Sequence, residues 1–342
     1  MKKSVVIVGF GKSGHRFFDV ISNRNDIEVV AIVEPNIKKT KGLPSRIIVF
    51  RNIEYLVQSE IDAPDYFIIS TVDKHHYSDI VAIRGKFPES LFIVEKPLSK
   101  KICEAISLSE IFDDEEIAIN FVERFSKAVQ QVKNYILDND LIPVRATTFW
   151  GKNRLGDSRE TMGVYSEISH SIDLVFYLFQ IKNLDNNFIH SIKLESDFNG
   201  ENTSKGDSLS INITNKDVIC TFHSSFMWNQ RKREIILFMK SPQNDCYMIT
   251  LNLDNPKWDF DNYCISQFKN NRWVEVRNCS FEPTSILNQG NEKIDRFLTS
   301  VLNRNINNIA KYATLSDGLL VQKILHQTEF DGDYDGKTRF YN

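Results

Sequence analysis

The chain has 342 residues, of which 42% are hydrophobic and 25% charged, a composition typical of a globular protein with two domains. The formal net charge of −3 provides no polybasic surface, which argues against a nucleic-acid partner or an anionic membrane. The five cysteines are far apart and none forms a C-x-x-C pair, so the sequence predicts neither a zinc site nor a disulfide framework and favours a reducing cytoplasm.

The N-terminus leads directly into a short apolar run, Ser4–Val8, that ends at a glycine loop. Such a run is a poor signal peptide. No segment approaches the roughly 18 apolar residues that a membrane-spanning helix needs. We therefore expect a soluble cytoplasmic protein.

Short apolar runs alternate with longer amphipathic segments up to residue 121. The runs are rich in Val, Ile and Phe, which predicts strands covered on both faces by helices. They are Val5–Val8, Val29–Val33, Ile47–Phe50, Tyr66–Ser70, Leu91–Val94 and Ile117–Phe121. Segments such as Gly14–Ser22 and Ser78–Lys86 predict the helices between them. This βαβ order predicts a doubly wound parallel sheet, a Rossmann domain, over residues 1–121.

The pattern changes after residue 121. A helix over Ser126–Leu137, a strand over Arg145–Trp150 and a helix over Glu167–Phe179 are predicted first. Strand-like runs with few helices between them follow, at Ser191–Glu195, Leu209–Thr214, Val218–Ser224, Glu234–Met239 and Cys246–Leu253. Their partial period-two alternation predicts a second α/β domain over residues 122–330 with a large, mostly antiparallel open sheet. Two final helices, near 290–302 and 315–326, are expected to pack back onto the body, and 331–342 forms an unassigned tail.

The glycine loop Gly9-Phe10-Gly11-Lys12-Ser13-Gly14 lies between a predicted buried strand and a predicted helix. In such a loop the first glycine permits the tight turn, the second admits the pyrophosphate and the third lets helix and strand pack closely. The helix N-terminus offers free N–H groups to the phosphates. The loop therefore predicts a dinucleotide site.

An acidic residue, Glu34, ends the next predicted strand. A carboxylate there can accept hydrogen bonds from the adenosine ribose and would repel a 2′-phosphate, which favours NAD over NADP. Lys12, Lys38 and Lys39 keep NADP possible, although a lysine in a loop is most often simply solvated.

Lys96 follows another predicted buried strand, where ligands of such sheets bind. Taken alone, it would be an ordinary charged residue at a strand end. However, the chain from Val5 to about Gln327 resembles the glucose–fructose oxidoreductase, inositol dehydrogenase and rhizopine-catabolism family, Gfo/Idh/MocA. The resemblance rests on the glycine loop, Ser70-Thr71 with His76, Glu95-Lys96-Pro97, Asn120–Phe125 and Ser169–Leu174, in this order and spacing.

This resemblance implies a Rossmann domain, a following α/β domain and an active site between them. It implies an NAD(P)-dependent oxidoreductase of a sugar or nucleotide-activated sugar that forms a homodimer or homotetramer. It implies that Lys96 contacts the reacting hydroxyl, often before a cis proline, and that His170 is the general acid/base. The residues that it places at the cofactor include Thr71, His76, Glu95 and Lys96.

The residue types fit these roles. A histidine that titrates near neutrality suits the proton transfer, and a fixed ammonium can stabilise a developing alkoxide. Many family members have an aspartate four residues before the histidine, and this chain has Ser166 there. Glu167 and Asp173 each lie three residues from His170, so either could orient the imidazole from the same helical face.

Other residues are candidates for binding the substrate. Arg124 matches a family arginine near the interdomain cleft, and Tyr165 could stack on a sugar ring. Lys152, Arg154 and Arg159 precede the catalytic helix and could hold a phosphate or carboxylate, although a charged loop is usually a solvated surface. The adjacent His75 and His76 make a poor metal site, so none is expected.

We therefore predict a hydride-transferring oxidoreductase of a sugar or nucleotide sugar. A cofactor-binding regulator or pseudo-enzyme of the same fold is the alternative, because the family also includes a transcriptional repressor and Ser166 departs from the family pattern. A reductase of a non-sugar substrate is a third reading.

Overall fold

The computed structural model describes residues 2–154, 162–184, 187–196, 206–284, 290–304, 311–330 and 334–338. By its internal contacts the chain divides into two compact units. The first contains residues 1–121 and 294–322, and the second contains residues 122–293 and 323–342.

The first unit is built on a six-stranded parallel sheet. Its strands are β1 (Lys3–Val8), β2 (Ile27–Val33), β3 (Ile48–Phe50), β4 (Tyr66–Ile69), β5 (Leu91–Val94) and β6 (Ile117–Ile119). They lie in the order β3-β2-β1-β4-β5-β6, which confirms the predicted doubly wound sheet. The order reverses between β1 and β4, and ligands of such sheets bind beyond the carboxyl ends of the strands at that point.

Helices connect the strands of this sheet, as the alternating sequence pattern predicts. They are α1 (Lys12–Ser22), α2 (Ile53–Gln58), α3 (His76–Lys86) and α4 (Ile102–Ile111). Central strands such as β4 are buried along their whole length because both faces of the sheet are covered.

The C-terminal part of the chain departs from the expected division into domains. Residues 294–322, placed by sequence in the second domain, group with the first unit. Helix α7 (Glu292–Leu302) packs the buried Phe297 against Phe17 of α1, and Ala313 pairs with Ile119 of β6. The boundary between the two units then falls within α8 (Leu315–Phe330), between Gln322 and Lys323. Long-range packing, which the sequence pattern does not encode, decides this grouping.

The second unit contains a nine-stranded sheet. Its strands are β7 (Ile142–Asn153), β8 (Asn187–Ser196), β9 (Ser208–Asn215), β10 (Val218–Ser225), β11 (Met227–Lys240), β12 (Cys246–Asn252), β13 (Asp261–Lys269), β14 (Arg272–Phe281) and β15 (Tyr334–Thr338). Their order is β14-β13-β12-β11-β7-β10-β9-β8-β15. The pairs β7–β10 and β8–β15 are parallel and the other pairs are antiparallel, so the expected mostly antiparallel sheet is confirmed.

Helices α5 (Lys127–Asp138) and α6 (Val164–Phe179) of the second unit pack on this sheet. Helix α5 contacts β12, β13 and β14, and α6 contacts β7, β9 and β10. Ser126 caps α5 by accepting a hydrogen bond from the N–H of Val129 (3.4 Å). Lys133 of α5 donates to the carbonyls of Tyr177 and Leu178 at the end of α6 (2.7 and 3.3 Å), which fixes the two helices to each other.

The sequence pattern did not reveal the hairpin of β13 and β14. The strands are joined by Asn270 and Asn271, both with positive φ, as a two-residue hairpin turn requires. The paired asparagines were therefore an available turn signal. The residues of β14 are mostly exposed, so this strand lacks the alternation of buried and exposed residues by which a strand is usually recognised.

The tail, which the sequence pattern left unassigned, contains β15, which pairs with β8. Phe222 and Phe226 on either side of the end of β10 are buried within the chain. None of the helices in the described part of the chain has the length and apolar character needed to cross a lipid bilayer.

Candidate functional site

The glycine loop follows β1 at the point where the sheet order reverses. Gly9 has φ +88°, and a Cβ added there would lie 2.8 Å from the backbone of Ser70 and Thr71, which follow β4. A Cβ on Gly14 would lie 2.2 Å from the carbonyl oxygen of Gly9. The loop and the first turn of α1 are therefore packed so closely that these two positions require glycine.

Gly11 differs from the other two glycines of the loop. A Cβ added there would meet no atom of the described chain within 4 Å, so the protein itself does not require glycine at this position. The first turn of α1 has no acidic side chain, and its N-cap, Gly11, has no side-chain cap. An open approach to backbone N–H groups at a helix N-terminus fits a diphosphate.

Glu34 is buried at the end of β2. Its carboxylate accepts hydrogen bonds from the backbone N–H groups of Phe10 and Asn36, both at 2.9 Å, and the ammonium of Lys39 lies 3.4 Å away. The residue predicted to bind the ribose therefore also holds the glycine loop in place. Lys12 and Lys38 are exposed.

A second carboxylate, Glu95, joins three strand ends of the first unit. The hydroxyl of Ser13 in the glycine loop donates to Glu95, and so does the amide of Asn120 after β6 (2.8 Å). The other amide atom of Asn120, Oδ1, is buried and has no hydrogen-bond partner among the described residues. Unsatisfied buried acceptors are costly, so this oxygen fits a donor from a bound dinucleotide.

His76 holds the backbone next to Lys96. Its two ring nitrogens lie 3.0 Å from the carbonyl oxygen of Pro97 and 3.1 Å from that of Thr71, and the hydroxyl of Thr71 donates to Asp79 (2.8 Å). The Lys96–Pro97 peptide bond is cis, as the family resemblance implies. His75 is exposed.

His170 lies in the second unit, on the buried helix α6. Its imidazole stacks on the ring of Trp150 of β7, with ring centroids 6.1 Å apart and an interplanar angle of 23°. Tyr165, five residues earlier on the same helix, is also buried. The predicted general acid/base is therefore a buried residue held against the sheet by an aromatic ring.

Both carboxylates near His170 pair with cations. Glu167 forms an ion pair with Lys152 and lies 3.6 Å from the guanidinium of Arg233. Asp173 forms a bidentate pair with Arg124, whose Nε donates at 2.9 Å. Arg124, a candidate substrate ligand, is thus buried in an ion pair and lies over the ring of Tyr177.

Arg154, another candidate substrate ligand, follows β7. Its guanidinium lies 5.4 Å from the ring centroid of Phe226, and its N–H donates to the carbonyl of the same residue (3.0 Å). Arg159, predicted on the same segment, lies outside the described residues.

A buried ion network in the second unit was missed by sequence reasoning. Its two cations are Arg233 and Lys293, and its carboxylates are Glu123, Asp254 and Asp261. Arg233 pairs with Glu123 and Asp254, and the ammonium of Lys293 contacts Glu123 (2.7 Å), Asp254 (2.8 Å) and Asp261 (3.1 Å). These residues are far apart in the sequence and follow no motif, so only the folded chain identifies them.

The network sets the protonation of its members. Burial tends to raise the pKa of Asp254, but the charges of Lys293 and Arg233 outweigh it and lower the pKa to about 2. Burial and the neighbouring Asp254 raise the pKa of Glu123 above its ordinary value. The nearby carboxylates raise the pKa of Lys293 despite its burial.

Comparison with protein families gives a match within the first unit. The family model for Gfo/Idh/MocA, described as an oxidoreductase family with an NAD-binding Rossmann fold, matches residues 3–121. The resemblance seen in the sequence is therefore confirmed over residues 3–121. No curated protein matches the chain significantly by sequence.

Solved structures are similar over almost the whole chain. UDP-N-acetylglucosamine 3-dehydrogenase GnnA from Acidithiobacillus ferrooxidans has a TM-score of 0.72 at 14% identity, covering 96% of each chain. A myo-inositol dehydrogenase from Corynebacterium glutamicum has a TM-score of 0.71 at 12% identity, covering 97% of each. A super-repressor mutant of Gal80p from Saccharomyces cerevisiae has a TM-score of 0.75 at 13% identity, covering 96% of this chain and 95% of its own. At these identities the likeness shows a shared fold.

The glycine loop gives a matched set of substitutions. Gly11→Ala should leave the free energy of unfolding within about 0.5 kcal/mol of the wild type but weaken NAD binding at least about tenfold, because its methyl group enters only ligand space. Gly14→Ala should cost about 1–3 kcal/mol of stability through its clash with Gly9. Urea unfolding and calorimetric titration with NAD measure the two effects. Gly85→Ala, with open space around its Cβ in α3, is the control and should change neither adversely; unchanged NAD binding by Gly11→Ala would contradict the site.

Lys293→Met tests the buried ion network. It removes the ammonium that contacts three carboxylates, so the free energy of unfolding should fall by about 3–5 kcal/mol. Because the pKa of Asp254 is lowered, its stabilising contribution in the wild type is present above its ordinary range and is lost as the pH falls through about 2. In Lys293→Met this loss should occur at higher pH, as measured by urea unfolding along a pH series. Lys311→Met, which breaks an exposed pair with Glu115, should cost no more than about 1 kcal/mol; equal costs for both variants would refute the role of the network.

Proposed function

We propose that the protein is an NAD-dependent oxidoreductase that transfers a hydride between the nicotinamide and a hydroxyl-bearing carbon of a sugar or nucleotide-activated sugar. The main support is the glycine loop, where Gly11 leaves an open approach to the N-terminus of α1 in a region that matches an oxidoreductase family. Lys96 follows β5 of the same sheet, whose strand ends form the ligand side of such folds.

We propose that Lys96 and His170 are the side chains of the protein that act on the reacting atoms of the substrate. The glycine loop and Glu34 would hold NAD, which would supply the hydride acceptor for oxidation or the hydride donor for reduction. The ammonium of Lys96 would donate a hydrogen bond to the substrate oxygen and stabilise negative charge as it develops there. The imidazole of His170 would take the hydroxyl proton, or return it in the reverse direction.

Glu167 and Asp173 would act through helix α6. Each carboxylate is tied to a cation outside the helix, Glu167 to Lys152 and Asp173 to Arg124. The His170 imidazole lies between these two attachments along the helix, so they would fix its orientation. We expect Asp173, held by a buried bidentate pair, to contribute to this positioning. We expect Glu167, which is next to Ser166 in the sequence, to replace the aspartate that many family members have at that position.

The contacts of Glu34 support NAD as the cofactor. The carboxylate is held at the end of β2 by two backbone N–H groups, in the position from which it would accept hydrogen bonds from the ribose. A 2′-phosphate would meet its negative charge. Lys39, 3.4 Å from Glu34, partly offsets that charge and is the residue through which NADP could still bind.

The substrate class rests on the polar and aromatic residues near His170. Arg154, Tyr165 and Arg124 remain our candidates for binding the substrate, with Arg124 acting mainly through Asp173. GnnA acts on a nucleotide sugar and the inositol dehydrogenase on a cyclic polyol, as their names state, and both share the fold. A polyhydroxylated ring is the substrate that suits this combination.

A cofactor-binding regulator is the second candidate, because Gal80p, described as a transcriptional regulator, has the same fold. Binding of NAD without oxidation or reduction of any sugar in a broad panel would favour it. We also propose a homodimer or homotetramer, supported by the exposed apolar side chains Phe268 and Trp273 of β13 and β14.

Substitutions of the two proposed catalytic residues should separate chemistry from cofactor binding. Lys96→Met and His170→Gln should each lower turnover of the substrate by about 10²-fold or more, because each removes a group that acts on the reacting oxygen. NAD affinity should stay close to that of the wild type in His170→Gln, and in Lys96→Met it should fall far less than turnover does, because the glycine loop and Glu34 remain. Stopped-flow or steady-state NADH formation and calorimetric titration measure these quantities. The exposed Lys100→Met and His75→Gln are controls and should retain full turnover; full turnover of both test variants would refute the mechanism.

Glu34→Gln tests the cofactor preference. The amide keeps one acceptor for the backbone N–H groups but removes the charge that opposes a 2′-phosphate. The ratio of the NADP and NAD dissociation constants should therefore fall about tenfold. Lys39→Met should move the ratio in the opposite direction. Tryptophan or NADH fluorescence titration measures both cofactors, and an unchanged ratio in Glu34→Gln would show that this carboxylate does not select the cofactor.

A further inference from the structure

Arginine and tryptophan side chains form a layered stack in the second unit. The ring of Trp150, against which His170 stacks, is covered by the guanidinium of Arg233 at 4.9 Å from its centroid. Arg233 also lies 5.1 Å from the ring centroid of Trp258, and the guanidinium of Arg231 covers the same ring at 3.9 Å. The order of contacts is therefore His170, Trp150, Arg233, Trp258 and Arg231.

The two arginines of this stack have different surroundings. Arg233 is buried and pairs with Glu123 and Asp254. Arg231 is half-buried on the same strand, and it has no hydrogen-bond or ion-pair partner among the residues that the structure describes. Burial and the positive charge of Arg233 both lower its pKa. One arginine is thus neutralised within the protein, whereas the other is not.

An arginine in this position is prepared for an anion. Partial burial of a cation without a counterion is unfavourable, so a ligand that supplies the negative charge gains from it. Stacking on Trp258 fixes the plane of the guanidinium and leaves the N–H groups at its edge, which match two oxygens of a phosphate. The nearby carboxylates are already bound by Arg233, Lys293 and Lys152.

We propose that Arg231 and Trp258 form a subsite for a phosphate group of the substrate. This inference rests on the proposed function and names its substrate class: a sugar that carries a phosphate ester or diphosphate. In this order of contacts, Trp150, Arg233 and Trp258 come between His170 and Arg231, so we expect the anionic group to bind away from the reacting carbon. A remote charged group supplies binding energy that orients the reacting end.

Arg154 supports the same class of ligand. Its guanidinium lies over Phe226, which immediately precedes the strand that carries Arg231. A diphosphate offers oxygens to more than one arginine, whereas a single carboxylate satisfies one bidentate contact. The subsite therefore fits a nucleoside-diphosphate sugar better than a sugar acid.

Calorimetric titration with UDP in the presence of excess NAD tests the subsite, because NAD occupies the dinucleotide site. Arg231→Met should weaken UDP binding about 10–100-fold, as expected for loss of charge-assisted hydrogen bonds. Arg231→Lys keeps the charge but loses the planar guanidinium, so its affinity for UDP should lie between that of the wild type and that of Arg231→Met. Lys232→Met is the matched control, since its ammonium lies against Phe149 and Trp228 instead; it should bind UDP as the wild type does.

Parallel titrations distinguish the sources of the phosphate. Equal dependence on Arg231 for UDP, inorganic pyrophosphate and glucose 1-phosphate supports the subsite, and a larger dependence for UDP and pyrophosphate assigns it to a diphosphate. Binding of glucuronate, but of none of the phosphates, would overturn the proposal. So would a lower melting temperature in Arg231→Met with unchanged UDP affinity, because Arg231 would then only balance the buried carboxylates.

The outcome is separable from that of the proposed function. NADH formation with a panel of neutral sugars and nucleotide sugars reports hydride transfer independently of UDP binding. Hydride transfer without Arg231-dependent phosphate binding removes the subsite and leaves the oxidoreductase. Arg231-dependent binding of UDP without hydride transfer to any sugar retains the subsite and removes the enzyme assignment.

Discussion

The second unit depends on a set of charges that are buried together. Arg233 and Lys293 are surrounded by Glu123, Asp254 and Asp261, and no member of this set could be buried alone without a large desolvation cost. Arg233 extends the network to Glu167 on α6. The strand that carries Arg233, the segment before β13 and the helix that carries His170 are therefore held by the same electrostatic constraint, and the orientation of the proposed acid/base depends on it.

The two units prepare their functional residues by different physical means. In the first, backbone geometry dominates: Gly9 and Gly14 allow a close packing that no other residue permits, and Gly11 leaves ligand space at a helix N-terminus. In the second unit, charged side chains dominate, and the residue with which each charged group pairs determines its surroundings. Two arginines on one strand illustrate this, since Arg233 is neutralised by carboxylates and Arg231 instead stacks on Trp258.

The sequence predicted those features that are encoded by residues close together in the chain. The six strands of the first sheet, the glycine loop and Glu34 were all predicted, because short apolar runs and a fixed glycine spacing encode them directly. The burial expected for the edge strand β3 was wrong, because Ile48 and Val49 are exposed there. The hairpin of β13 and β14 was missed although Asn270 and Asn271 signalled its turn. The partners of Glu167 and Asp173 could not be predicted, because helical spacing says which residues share a face but not what lies opposite that face.

The sequence by itself determined the parallel sheet, the dinucleotide loop and the identity of Lys96 and His170 as the residues to test. The tertiary structure decided that residues 294–322 join the first unit, that Arg124 pairs with Asp173 and that Arg233 and Lys293 gather three carboxylates. It also separated Arg231 from Arg233. The physical reason is one of range: backbone conformation and hydrophobic periodicity are set by near neighbours in the chain, whereas the environment of a buried charge is set by residues that only folding brings together.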